Sequence, residues 1–133
     1  MKLESSATAG SRLCLILGWV ISAIPIAMMG VGAIVVLLTN PDMVAQGLEQ
    51  QGYPAHLAKT ILALELGCAV IYAIPQTAVL GAILLTGYLG GATATHVRAE
   101  ETQWFIPVVL GVLVWLGVFL RDQRLRALLP FRR

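Results

Sequence analysis

Residues 74–98 read IPQTAVLGAILLTGYLGGATATHVR, and this stretch decides the class of the protein. It is apolar, rich in small residues and uncharged until Arg98. A run of this length can cross a lipid bilayer as a helix. Gly87 and Gly91 lie four residues apart, a spacing that lets helix backbones approach closely in lipid. The stretch therefore predicts a membrane-spanning helix suited to close packing.

The composition of the whole chain agrees with a membrane location. Hydrophobic residues make up 58% of the 133 residues and charged residues only 12%, whereas soluble domains carry about a quarter charged residues. Residues 13–39 have no charged side chain. At about 1.5 Å per residue they extend for about 40 Å, more than the roughly 30 Å hydrocarbon core. We expect this first helix to tilt or to kink at Pro25.

Turn signals and charged residues divide the chain into an all-α bundle of four transmembrane helices. We predict a single domain, residues 1–133, in which residues 1–12 are disordered. Of the nine lysines and arginines, seven fall on the side that holds both termini, so the positive-inside rule places both termini in the cytoplasm. The predicted helices are about 13–39, 56–74, 77–95 and 104–120, with an amphipathic segment at about 42–51 and a basic tail at 121–133.

Glu65 is the main candidate for chemistry. It lies nine residues into its predicted helix, about 13 Å below the outer boundary. A carboxylate at that depth is costly, so it should face the bundle interior and find a partner. Tyr88 on the next helix has a similar depth, which makes a Glu65–Tyr88 hydrogen bond feasible. The candidate ligand-binding residues at this end of the bundle are Glu65, Cys68, Tyr72, Tyr88, His96 and Arg98.

Two interpretations of Glu65 stay open. It can exchange protons with a bound ligand such as a quinone, or a neutral glutamic acid can hold neighbouring helices together by hydrogen bonds. The small-residue pairs are candidate sites of helix packing, either within one chain or between copies. These pairs are Gly18 with Ser22 on the first helix, and Gly87 with Gly91 on the third.

Several other classes of site are disfavoured. His56 and His96 both map to the outer boundary, and no third ligand is spaced to complete a metal or haem site. Cys14 and Cys68 are far apart and form no CxxC motif. The sequence has no phosphate-binding loop, nucleophile elbow or HExxH motif. We therefore expect no metal and no intrinsic cofactor, and we expect no nucleic-acid partner because most of the chain lies in lipid.

One family resembles this sequence. The phrase TAVLGAILLTGYLGGATATHVR, preceded by IYAIPQ, together with GYP at 52–54 and the tail LRDQRLRALLPFRR, is similar to the DoxX-like family of small bacterial four-helix membrane proteins. The resemblance implies a bundle in the bacterial cytoplasmic membrane. The family takes its name from a membrane subunit associated with thiosulfate and quinol oxidation, and many relatives are labelled oxidoreductases. Related sequences often carry an Asp and a Lys where Ala33 and Leu37 stand here, and an Arg in place of Gln76.

The sequence leads to three functional hypotheses. The first is an accessory membrane protein that binds a lipophilic molecule, a quinone or a lipid, in a bundle pocket. The second is a membrane subunit of a quinone-linked oxidoreductase whose partner subunit supplies the redox centre. The third is a structural module that self-associates through its small-residue faces, for which exposed Gly87 and Gly91 would be the supporting observation. The lipid bilayer is the partner common to all three.

Overall fold

The computed structural model of the chain describes residues 2–128 as helices and short turns, with no β-strand in that range. Four helices are long and apolar enough to cross a membrane. They confirm the predicted all-α bundle of four transmembrane helices. The candidate spans are Arg12–Thr39, Ala55–Ala73, Pro75–Arg98 and Thr102–Arg121.

The first span is a continuous helix with a change of winding in its middle. Helix α1, Lys2–Pro25, passes into a π-helical turn, Ile26–Val31, and then into α2, Gly32–Thr39. The irregular turn follows Pro25, where a kink is predicted, because proline cannot donate the hydrogen bond that an α-helix requires. The expected disorder of residues 1–12 is wrong over the described part, since the helix begins at Lys2. Extending an existing helix costs far less than nucleating one.

The remaining described elements are three long spans, with one short helix before them and one after them. Helix α3, Pro41–Gln50, is the predicted amphipathic segment, and α4, Ala58–Ala73, follows a 3₁₀ turn. A tight 3₁₀ connection at Pro75–Thr77 leads into α5, Ala78–Arg98. This helix extends one turn beyond the predicted end at residue 95. The last described helices are α6, Phe105–Arg121, and α7, Gln123–Leu128.

The bundle combines packing between sequence neighbours with packing between the first and last spans. Helix α1 packs on α6, α6 on α5, and α5 on α4, while the π-helical turn closes the bundle against α4. Leu125 of α7 is buried, as expected for an amphipathic helix at the membrane surface. The rest of the predicted basic tail, residues 129–133, lies outside the described residues.

The termini-side half of the bundle is its most tightly packed part. A Cβ atom on Gly18 would meet the backbone of Arg121, and one on Gly117 would overlap Ser22. A Cβ on Gly81 would overlap the backbone of Tyr72, so α4 and α5 cross at that glycine. Glycine is needed at Gly18 and Gly81 because a neighbouring helix backbone occupies the space of a side chain, and at Gly117 because the Ser22 side chain occupies it.

Candidate functional site

A cavity of about 690 Å³ lies between α3, α4 and α5, at the end of the bundle opposite the termini. Its α5 wall follows one helix face from Leu84 to His96, which is about 18 Å along the helix axis. Apolar side chains of α3 and α4 form most of the remaining wall. The polar or ionisable lining residues are Gln51, Tyr53, Glu65, Cys68, Tyr88, Thr95 and His96.

The polar pair Glu65 and Tyr88 marks the middle of this cavity. The Tyr88 hydroxyl donates to Oε2 of Glu65 across 2.9 Å. The structure thus contains the Glu65–Tyr88 hydrogen bond that the similar depths of the two residues had suggested. A carboxyl group has two oxygens, and Tyr88 engages one of them. The second oxygen of Glu65 can therefore accept a hydrogen bond from a molecule in the cavity, and it can donate one when the carboxyl is protonated.

Cys68 lines the cavity at its deeper end. Its side chain is 5% exposed and lies one helical turn from Glu65 on the same face of α4. The thiol is free, as is that of Cys14 in the first span. Cys68 is thus a small, weakly polar wall residue in this arrangement.

Tyr72 occupies a different site from the other candidate residues. It shares a helix face with Glu65, but seven residues separate them, about 10 Å along α4. Tyr72 is fully buried below the cavity, and its hydroxyl lies 2.9 Å from Ser22 Oγ and 2.9 Å from the carbonyl oxygen of Val114. The structure therefore places Tyr72 in the helix-packing core and outside the cavity lining.

A cluster of hydrogen bonds, which we call the outer clasp, closes the loop end of the cavity. Gln51 donates from Nε2 to Glu101 across 2.9 Å, and His96 Nδ1 bonds the other oxygen of the same carboxylate. The Tyr53 hydroxyl and Thr95 Oγ1 lie 3.0 Å apart. Together these contacts tie the turn after α3 to the end of α5 and the following loop.

Arg98 belongs to the outer clasp and not to the cavity wall. Its Nη2 donates to the backbone oxygen of Gln51 across 2.7 Å, and its guanidinium lies 5.2 Å from the centre of the Tyr53 ring. Glu101 is the acceptor at the centre of the clasp. Hydrogen bonds from Gln51 and then His96 hold the pKa of the Glu101 carboxyl below its usual range.

Most residues of the outer clasp were not predicted from the sequence. Gln51, Tyr53 and Glu101 lie in loops and at helix ends, where sequence periodicity gives no contact information. Gly52 has a φ of +81°, and this left-handed turn brings Gln51 and Tyr53 together against α5. The GYP turn signal at 52–54 marked the bend but could not show what the bend would contact.

A second cluster that the sequence did not predict lies at the end of the bundle near the chain termini. The guanidinium of Arg121 sits between two aromatic rings, 4.5 Å from the centre of Trp19 and 4.7 Å from that of Tyr72. Its Nη2 donates to the Tyr72 carbonyl oxygen across 3.1 Å. Stacking of this kind suits arginine, whose delocalised charge is weakly hydrated. The cluster joins the first span at Trp19 to the ends of α4 and α6.

The four predicted packing residues divide into two groups. Gly18 and Ser22 are buried in contacts within the chain. Gly87 and Gly91 are exposed, and a Cβ placed on either would have no heavy atom within 4 Å. Both line the cavity. Within this chain they create space instead of packing helices, and packing against a second copy stays a prediction.

Among the side chains of residues 12–40 and 42–127, no three histidine, cysteine, aspartate or glutamate groups lie close enough together to hold a metal ion. His56 is exposed at the start of the second span, away from the cavity lining.

Residues 20–117 match the sequence profile of the DoxX-like family. The chain belongs to the DoxX-like family. The matched part contains α3, α4 and α5, and therefore the whole cavity of this DoxX-like protein. No curated protein and no solved structure matches the chain.

Two positions at which this chain departs from the family resemblance, Ala33 and Leu37, can be located in the structure. Ala33 is buried on α2, whereas Leu37 is 45% exposed. Neither side chain carries the charge that the resemblance implies at these positions. Glu65 therefore stands out as the acidic side chain that this DoxX-like protein places along the cavity wall.

Proposed function

We propose that this DoxX-like protein binds one lipophilic molecule, a quinone or a lipid, in the cavity between α3, α4 and α5. The observation that carries the proposal is the hydrogen-bonded pair Glu65 and Tyr88 inside an otherwise largely apolar cavity. Small-molecule sites commonly combine apolar walls with a few placed polar groups. Within a membrane, an ionisable residue in such a position is by default a functional candidate.

The chemistry of the pair suits a ligand with a polar oxygen. Both oxygens, that of the Tyr88 hydroxyl and the second one of Glu65, can accept from a hydroxyl group, and a protonated Glu65 can donate to a carbonyl oxygen. Quinone head groups carry carbonyl oxygens, and many lipid head groups carry hydroxyl or ester oxygens. In this proposal the protein is an accessory component without its own redox centre, and it supplies a binding site in the membrane.

The test is mass spectrometry of the protein purified in mild detergent, with the wild type beside Glu65→Gln and Tyr88→Phe. We expect a co-purifying quinone or lipid in the wild type, and roughly a tenfold lower yield of it in each variant, as the loss of one buried hydrogen bond implies. Glu49→Gln and Tyr72→Phe are the matched controls, because neither residue lines the cavity. Equal ligand yield in all five proteins would remove the pair from the binding site.

A membrane subunit of a quinone-linked oxidoreductase is the second candidate, and the same sample separates it from simple binding. If the purified protein carries a quinone, a chemical reductant and the quinone absorbance show whether the bound molecule can be reduced in place. Quinone turnover that depends on a co-purifying partner protein would favour the oxidoreductase subunit. Binding without turnover would favour the accessory role.

A structural module is supported by a specific observation, the exposure of Gly87 and Gly91. Self-association through these glycines should be disrupted by Gly91→Leu and should persist in Glu65→Gln. Ligand binding in the cavity should be reduced by both substitutions. Measuring oligomeric state and ligand content in the two variants therefore distinguishes the hypotheses.

A further inference from the structure

The cavity is open along its side. Leu64 and Leu84 stand at its edge and are 56% and 39% exposed. Gly87 and Gly91 continue the same edge along α5 and offer no side chain to close it. In a membrane this surface faces lipid chains, so the gap between α4 and α5 connects the cavity with the bilayer interior.

The outer end of the cavity is closed in contrast. The hydrogen bonds from Gln51 to Glu101 and from Arg98 to the Gln51 backbone hold the turn after α3 over the end of α5. The Tyr53 hydroxyl also bonds Thr95, which itself lines the cavity. A molecule arriving from water would have to break these contacts, whereas one arriving from lipid would not.

Polarity changes along the length of the cavity. Its polar groups lie at the outer end and at the level of Glu65 and Tyr88, while Leu84 lies about one helical turn deeper. The deep end therefore suits hydrocarbon. An amphiphile would fit this wall. Its polar head would contact the Glu65–Tyr88 pair, and its hydrocarbon chain would contact the apolar side chains of Leu64 and Leu84.

We propose that the ligand is an amphiphile with a long acyl or isoprenoid chain, which reaches the cavity sideways from the bilayer through the gap between α4 and α5. Its polar oxygen bonds the Glu65–Tyr88 pair, and its chain leaves past Leu64 and Leu84 into the lipid. This inference rests on the proposed function, and it adds the class of ligand and the route. Gly87 and Gly91 are the residues that keep the route open.

The experiment uses photocrosslinking in phosphatidylcholine vesicles that contain the full chain. The two probes are decylbenzoquinone with a diazirine at the end of its chain and a phosphatidylcholine with a diazirine on one acyl chain. Peptide mass spectrometry then locates the crosslinks. We expect at least one probe to label the Leu64 and Leu84 region, and we expect that labelling to fall about tenfold in Glu65→Gln. The probe that is lost in this variant identifies quinone or lipid as the source of the ligand.

Gly87→Leu tests the route itself. Because a Cβ at this position meets no atom within 4 Å, the substitution should leave the fold intact and fill the gap. We expect it to reduce labelling near Leu64 about tenfold. Gly90→Leu is the matched control, since Gly90 is equally uncrowded but lies in the groove between α5 and α6. Val109 on α6, which is 50% exposed and lines neither this groove nor the cavity, reports background labelling by bulk lipid and should not change.

Two other crosslinking results would contradict the side route, and one of them would also contradict the proposed function. Labelling confined to α3, with Glu65-dependent binding retained, would show that the chain points to the outer face, so the side route would be wrong while the proposed function stands. If labelling near Leu64 matches the background at Val109 and is unchanged in Glu65→Gln, and no ligand co-purifies, the proposed function and this inference are both overturned.

Discussion

The hydroxyl of Tyr72 joins three helices at one point, because it reaches Ser22 on the first span and the Val114 carbonyl on α6. With a single proton it donates to one acceptor at a time, and Ser22 can donate back when Tyr72 bonds Val114. The sequence placed Tyr72 beside Glu65 because the two share a helix face. A shared helix face gives the direction of a side chain but not its depth along the bundle. At the depth of Tyr72, the first span and α6 cover this face of α4.

We expect the Tyr72–Ser22 contact to contribute measurable coupling energy. A double-mutant cycle of Tyr72→Phe and Ser22→Ala should give about 0.6 kcal/mol, the average for hydrogen bonds between helices in membranes, with an upper limit near 1.7 kcal/mol. Equilibrium unfolding in mixed detergent micelles measures it. Strictly additive single-mutant effects would show that the two hydroxyls contribute independently.

Glu101 makes the stability of the outer clasp depend on pH. Its pKa is lowered in the folded protein by the hydrogen bonds from Gln51 and His96. A carboxyl group with a lowered folded-state pKa stabilises the fold above its unfolded value, about 4.3, and loses that contribution as the pH falls through the folded-state pKa. We therefore expect thermal stability to decline as the pH falls below about 4.3.

The difference between wild type and Glu101→Gln isolates this carboxyl from the other acidic groups. The melting temperature of the variant should lie below that of the wild type near pH 6, and the two should converge as the pH drops below about 4. Glu100→Gln, which changes the neighbouring exposed charge, is the control and should follow the wild type. A constant gap between Glu101→Gln and the wild type at every pH would contradict the role assigned to the ionised carboxylate.

At the scale of helices, some glycines lie where two helices touch and others face open space. Gly81 allows α5 to meet the backbone of α4 at Tyr72, whereas Gly67 on α4 has no atom within 4 Å of a Cβ position. Both are small residues in apolar helices, so the sequence could not tell them apart. What distinguishes them is the crossing point of two helices, which only the assembled bundle defines.

We expect Gly81→Ala to be strongly destabilising and Gly67→Ala to be tolerated. The first substitution forces two helix backbones apart, with a cost typical of overpacking, about 1–3 kcal/mol or more. The second removes a flexible residue from a helix and should leave stability unchanged or raise it by up to about 1 kcal/mol. Unfolding in detergent measures both variants. Similar stability of the two would mean that α4 and α5 do not cross at Gly81.

The extent of each span was predictable because uncharged runs and prolines set it, and those features are local. The pairing of Glu65 with Tyr88 was predictable for the same reason, since depth can be counted from each helix end once the tight turn at Pro75 makes α4 and α5 neighbours. The outer clasp and the Arg121 cluster were not, because they join residues far apart in sequence through loop geometry. The volume of the cavity likewise depends on helix separations that no periodicity encodes.

For the whole molecule, the distribution of basic residues still predicts both termini in the cytoplasm. We expect a single cysteine at Thr102→Cys, in a background lacking Cys14 and Cys68, to react with a membrane-impermeant maleimide applied to intact spheroplasts. A cysteine at Asp42→Cys, on the same side, should behave alike. A cysteine at Ala127→Cys should react only after the membrane is permeabilised. The reverse pattern would mean that the cavity end faces the cytoplasm.

The π-helical turn at Ile26–Val31 affects how the first span tolerates changes in chain length. Its hydrogen bonds join residues five apart instead of four, so the turn holds one residue more than an α-helix needs. Removing the exposed Ala27 would let the segment wind as an ordinary α-helix and keep Gly18 and Ala33 in register with their neighbours. Removing the exposed Val20 from α1 would instead rotate everything beyond it by about 100°. A one-residue deletion should therefore be neutral in the turn and disruptive two turns earlier, which makes this mid-membrane turn the place where the length of the chain can vary without altering the bundle.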